Sequence, residues 1–147
     1  MSSGQPEIVH ATAIAIKDQG VLFLGPSGAG KSDLALRLID RGARLISDDQ
    51  TELLRSQNRL LLRPAPNIAG KLEVRALGII SMEYVSDISL RLQIQLVEHP
   101  DRYPMDRQSE TVQGVDIPTI ALNAFEHSAP LKVELALKQL LAQENRS

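Results

Sequence analysis

Cysteine and tryptophan are both absent from the 147 residues, and aromatic side chains of every kind make up 3%. Without cysteine there is no disulfide framework, no thiolate metal site and no cysteine nucleophile. So few aromatics argue against the stacking platforms that hold single-stranded nucleic acid. A formal net charge of −2 supplies no global field for nucleic acid or an anionic membrane. No apolar run approaches the roughly 20 residues that span a bilayer. The opening MSSGQPEIVH lacks the basic start and apolar stretch of a secretory signal. Together these absences point to a cytoplasmic protein that engages neither nucleic acid nor membrane. The length implies one domain, residues 1–147, able to bury a core without staples.

What the chain does contain is GPSGAGKS at residues 25–32, which fits the phosphate-cradling pattern G-x-x-x-x-G-K-[ST]. Glycines let backbone N–H groups converge on phosphate oxygens, and the following helix adds its positive end. The binding set this implies is Gly25, Pro26, Ser27, Gly28, Ala29, Gly30, Lys31 and Ser32. Lys31 is placed to reach the β- and γ-phosphates of a nucleotide, and Ser32 to ligate Mg²⁺. The loop is silent about where a phosphoryl group goes.

The context suits the loop. VLFL (21–24) reads as a short buried strand before it, and SDLALRLIDRG (32–42) as an amphipathic helix after it. Leu34, Ala35, Leu38 and Ile39 share the apolar face, and Gly42 ends the helix. IVHATAIAI (8–16) is one β-branched strand, with a turn over KDQG (17–20). ARLIS (43–47) is the next strand, and 51–64 reads as a hairpin turning at Gln57-Asn58. Residues 67–80 are loop and then short strand. In 88–97, Ile88, Leu90, Leu92, Ile94 and Leu96 alternate with Arg91, Gln93 and Gln95, which predicts a half-buried strand. A polar loop is expected over 98–111 and a last strand over 117–122; Ser128 and Pro130 then open a helix through about Gln143. The fold class is α/β, a mixed sheet with the loop helix on one face and the terminal helix packed elsewhere.

Several residues are placed to join the loop. Pairing Ile16 with Val21 and continuing the hairpin sets His10 opposite Ser27, where an imidazole orients a carboxylate or shuttles a proton; capping a sheet edge is the alternative. Asp48 and Asp49 follow the strand after the loop helix, and sites in open α/β sheets form beyond the carboxyl ends of strands. One carboxylate suits an alcohol's proton and the other Mg²⁺, although an Asp turn uses the same residues. Lys71, Glu73 and Arg75 fall on one strand face by their period of two, either a solvated surface or a metal carboxylate flanked by cations. On residue chemistry alone Arg107 is surface.

Taken in order, these motifs resemble the catalytic domain of HPr kinase/phosphorylase, a bacterial enzyme family acting on a serine of the phosphocarrier HPr. The matching text is VHATAIAI, GPSGAGKSDLALRLIDRG, RLISDD and LEVRALGII, tight over residues 8–81. The spacings from His10 to the loop and from Lys31 to the Asp pair are also those of the family. The resemblance implies a P-loop kinase core distantly similar to ATP-dependent carboxykinases. It implies ATP and Mg²⁺ as cofactors and an HPr-like phosphocarrier as partner. It also implies a homo-oligomer, since full-length members are typically hexameric. By the same likeness His10 is the active-site histidine and Lys31 the phosphate lysine. Asp48-Asp49 holds the proton acceptor, with Asp49 favoured, and Ser32 and Glu73 are metal ligands. MDRQ, similar to the family's YDRLG, makes Arg107 the active-site arginine.

Three departures qualify the likeness. The length leaves no room for the family's N-terminal domain, so a short kinase-domain form is expected. Ala76 stands where the family has glycine. The segment corresponding to PVRPGRN, linked to the dephosphorylating direction, reads LNAFEHSAP without its arginines and glycine. The leading expectation is a protein-serine kinase. A small-metabolite kinase and a non-catalytic ATP-binding regulator are the alternatives.

Overall fold

The computed structural model describes residues 5–101 and 108–145. In chain order the elements are β1 (Glu7–Val9), β2 (Ala11–Ile16), β3 (Gln19–Leu24), α1 (Lys31–Asp40), β4 (Arg44–Ser47), β5 (Thr51–Ser56) and β6 (Arg59–Pro64). They continue as β7 (Lys71–Val74), β8 (Gly78–Ser81), β9 (Ile88–Leu96), β10 (Gln108–Val112), β11 (Val115–Leu122) and α2 (Ala129–Glu144).

Strand β9 is the hub of a mixed sheet ordered β1-β5-β6-β9-β3-β2-β4. It runs parallel to both β3 and β11 and antiparallel to β6. The parallel trio β3, β9 and β11 therefore ends at one edge. There the loop after β3 meets the segment after β11, and Val97 N–H bonds to Leu122 O at 2.9 Å.

Both faces of this sheet are covered. On one, Ile14, Val21, Phe23, Leu92 and Ile94 pack with Leu34 and Leu38 of α1 and Val133 and Leu137 of α2. On the other, Ala11, Ala13, Ala15 and Leu22 meet Leu53, Leu60 and Leu62 as the sheet curls back on itself. Fully burying such a leucine or phenylalanine stabilises the fold by roughly 1.5–3 kcal/mol each. Thus α2 lies on the same face as α1 rather than elsewhere. Arg41, the C-cap of α1, grips Glu134 of α2 through Nε and Nη2 at 2.9–3.1 Å. That hydrogen bond, with the carboxylate charge behind it, raises the Arg41 pKa.

Other expectations need correction. The strand read over 8–16 is broken at His10, where the chain leaves β5, the partner of β1, for β3 and β4, the partners of β2. The hairpin turn is only Lys17-Asp18, with Ile16 opposite Gln19. Gly20 is a strand residue instead: a Cβ there would lie 2.7 Å from Ser89 O and 2.8 Å from Leu62 Cδ1. The register is therefore two residues from the expected one, and Ala11, not His10, makes the last pair, with Leu24. Gln93 is not solvent-facing. Because β9 is covered on both sides it is 2% exposed, and its Nε2 bonds to Glu110 Oε2 at 3.0 Å. Part of the polar loop is strand β10, which shields that edge of β11. Ser128 is the N-cap of α2 but makes no side-chain cap bond.

Candidate active site

The hairpin expected at Gln57-Asn58 forms, and so does the strand–loop–helix unit on which the site is built. Gly30 caps α1 with φ 95° and Gly28 sits at φ 87°, a region that favours glycine. Gly30 is doubly required, since a Cβ would lie 2.9 Å from Ala124 Cβ and 3.3 Å from Phe125 Cζ. The segment after β11 thus forms one wall of the loop. Arg37 of α1 holds that wall by donating to the carbonyls of Ala124 and, at 3.2 Å, Glu126. Ala29 N–H closes the loop onto Pro26 O at 3.0 Å, and the helical ladder begins with Leu34 N–H on Gly30 O at 2.9 Å. The N–H groups of a helix's first turn precede that ladder and are the ones an anion takes.

Lys31 is buried to 8% exposure, and its Nζ donates to Gly25 O at 2.6 Å and Pro26 O at 3.0 Å. An ammonium has three donors, so it braces the loop from inside with one to spare.

The aspartate doublet splits into two different groups. Strand β4 carries a bulge opposite β2: Ala13 pairs with Ser47 while Ile14 pairs with Leu45. A bulge bends its strand and re-aims the side chains beyond it. Asp48 is turned inward, 6% exposed. Its Oδ1 accepts from Ser32 Oγ at 2.6 Å and Thr12 Oγ1 at 3.0 Å, and its Oδ2 from Glu73 N–H at 3.0 Å. Asp49 is exposed, with φ 67°, and its N–H donates to Thr12 Oγ1 at 3.0 Å. The turn is closed by Gln50 N–H on Asp48 O at 2.7 Å and Ser47 Oγ on Gln50 O at 2.5 Å.

The sequence-predicted residues therefore divide. Lys31, Ser32, Asp48, Asp49 and the backbone of Glu73 converge at one strand edge. His10 is exposed and sits between the pairs Val9–Thr51 and Ala11–Leu24, at the break between β1 and β2. Lys71 and Glu73 share an exposed strand face, whereas Arg75 has passed into the turn after β7. Arg107 lies outside the described residues. Thr12 was missed, because a threonine inside an apolar strand looks like ordinary β propensity.

Among the described residues no three His, Cys, Asp or Glu side chains gather to hold a metal. Mg²⁺ at nucleotide sites is bound through one or two carboxylates plus phosphates rather than an all-protein cage. Ser32 Oγ and Asp48, joined at 2.6 Å beside the loop, are a hard-oxygen pair that would fit such an ion.

A buried strand, a glycine loop, a helix and an acidic doublet at the same sheet edge define a P-loop, kinase-like fold. The chain belongs to the HPr serine kinase C-terminal domain family, whose model matches residues 3–145. The HPr kinase/phosphorylase of Neisseria meningitidis serogroup C is 35% identical over 152 residues, covering 92% of this chain and 48% of that protein. The HPr kinase/phosphorylase of Limosilactobacillus reuteri is 34% identical over 127 residues, covering 78% and 40%. This chain thus spans about half the length, or less, of these curated relatives. The Hpr(Ser) kinase/phosphatase structure from Coxiella burnetii matches with a TM-score of 0.82 and 28% identity, over 95% of this chain and 99% of that one.

Proposed function

We propose that this domain, residues 1–147, is an ATP-dependent protein-serine kinase whose acceptor is HPr or a related phosphocarrier. The observation that carries the reading is the split doublet. A nucleotide-binding module uses a carboxylate beside the loop serine for Mg²⁺, but has no need of a second one left exposed next to it.

In this reading the loop amides and Lys31 cradle the β- and γ-phosphates. Ser32 and Asp48 would hold Mg²⁺, with Glu73 beside them, and the ion would supply positive charge against the phosphates. Asp49 takes the proton from the acceptor serine hydroxyl as that oxygen bonds to the γ-phosphorus. The bond from γ-phosphorus to the β,γ-bridging oxygen breaks, and ADP leaves with the electron pair. Phosphoryl transfer asks mainly for positioning and charge stabilisation, so an ordinary exposed carboxylate suffices. His10 orients Asp49, and Arg107 adds positive charge at the transferred group.

No helix among the described residues is long and apolar enough to cross a membrane, which accords with a cytoplasmic setting. Assembly into a homo-oligomer, as in the wider family, is part of the same proposal. The test is intact-mass analysis of HPr after incubation with this protein and Mg-ATP. One added phosphoryl group on a serine is expected. Unmodified HPr, with ATP bound normally, would rule the reading out in favour of a regulatory nucleotide binder. ATP turnover driven by a small alcohol would rule it out in favour of a metabolite kinase.

A further inference from the structure

Thr12 is fully buried in β2 among Ala11, Ala13 and Ile14, which are buried as completely. A hydroxyl in such surroundings has to be bonded. It is bonded twice, and both bonds go to the aspartate doublet. The Asp49 amide can only donate, so Thr12 Oγ1 accepts there at 3.0 Å. A threonine hydroxyl has one hydrogen, which leaves it for Asp48 Oδ1, also at 3.0 Å. One side chain therefore fixes the carboxylate of one aspartate and the backbone of the other.

The backbone bond matters because Asp49 sits at φ 67°, a left-handed conformation that aspartate tolerates better than most side chains but that a hydrogen bond to its amide helps to hold. The carboxylate bond matters because Ser32 Oγ shares the same oxygen, Oδ1 of Asp48. Strand β2 also pairs directly with β3, which leads into the phosphate loop. Thr12 is thus fastened to the loop's own scaffold while it holds both carboxylate-bearing residues.

We infer that Thr12 is a positioning residue: its hydroxyl sets the geometry between the metal-side aspartate and the proton-accepting one. This rests on the kinase reading for its catalytic consequence, but the clamp itself is testable without activity. Thr12 is wholly buried and acts through Asp48 and Asp49. Thr12→Val keeps the shape and removes the hydroxyl. Thr12→Ser keeps the hydroxyl and removes the methyl.

Two readouts are needed. Hydrogen exchange of the Asp49 amide, followed by NMR, reports the clamp. It should accelerate about 10-fold or more in Thr12→Val and stay near the parent rate in Thr12→Ser. Transfer kinetics report the consequence: kcat should fall about 100-fold in Thr12→Val while KM for ATP holds within about threefold, and Thr12→Ser should recover most of the rate. An unchanged amide or an unchanged kcat in Thr12→Val would overturn the inference. So would equal impairment of both variants, since that marks the methyl group rather than the hydroxyl. If the parent protein transfers nothing to HPr, the kinase reading fails and the amide measurement alone decides the clamp.

Discussion

Asp48→Asn and Asp49→Asn are the same chemical change one residue apart, and they should have unequal effects on stability. The Asp48 carboxylate accepts from Thr12 and Ser32 hydroxyls on Oδ1 and from Glu73 N–H on Oδ2. Asparagine supplies one acceptor and one NH₂ group. With its oxygen toward the hydroxyls, the NH₂ faces Glu73 N–H, donor against donor. Flipped, it faces Thr12, whose hydroxyl already accepts from Asp49 and whose hydrogen would then have no acceptor. Either orientation strands a buried donor, at a cost of about 1–3 kcal/mol. Losing the charge assistance adds to this, and no longer desolvating a carboxylate offsets part of it. The net expectation is about 2 kcal/mol, or roughly 6 °C in Tm for a domain of this size. Asp49 is exposed and asparagine tolerates its positive φ, so Asp49→Asn should stay within about 0.5 kcal/mol. Urea and thermal unfolding without nucleotide or metal measure this directly, because bound ligand would mask it. Equal losses, or an undisturbed Asp48→Asn, would refute the assignment of the two carboxylates.

Single features set three further outcomes. Ala76 holds φ 76° in the turn after β7, so Ala76→Gly should raise stability by about 0.5–1 kcal/mol in urea unfolding, the relief of strain exceeding the entropy of glycine. Gly30→Ala combines a φ of 95° with a Cβ 2.9 Å from Ala124 Cβ, and should lower both Tm and nucleotide affinity in calorimetry. Lys31→Met removes a charged donor of the phosphate cradle and should weaken Mg-ATP binding roughly 10- to 100-fold by titration calorimetry.

Much of the fold and site was legible in the sequence where local chemistry decides. GPSGAGKS, its flanking strand and helix, and the Gln57-Asn58 hairpin were all readable from turn residues and periodicity. The Gly20 turn misled, because a glycine next to Asp18-Gln19 looks the same whether it turns the chain or admits Ser89 and Leu62 against the backbone. Gln93 misled for a related reason: alternation marks a half-covered strand, and only the curled sheet covers β9 on both sides. Likewise, adjacent aspartates carry no sign of which one is buried. The bulge between β2 and β4 and the hydroxyl of Thr12 make that choice, and both depend on residues distant in the chain.

The most direct measurement is rapid-quench, single-turnover transfer from γ-labelled Mg-ATP to HPr by the parent protein and by Asp49→Asn, with nucleotide affinity determined in parallel. Label should reach a serine of HPr with the parent, while Asp49→Asn binds Mg-ATP equally well and transfers at least about 100-fold more slowly. Transfer by Asp49→Asn at the parent rate would contradict the account, as would a parent that binds Mg-ATP and labels no serine.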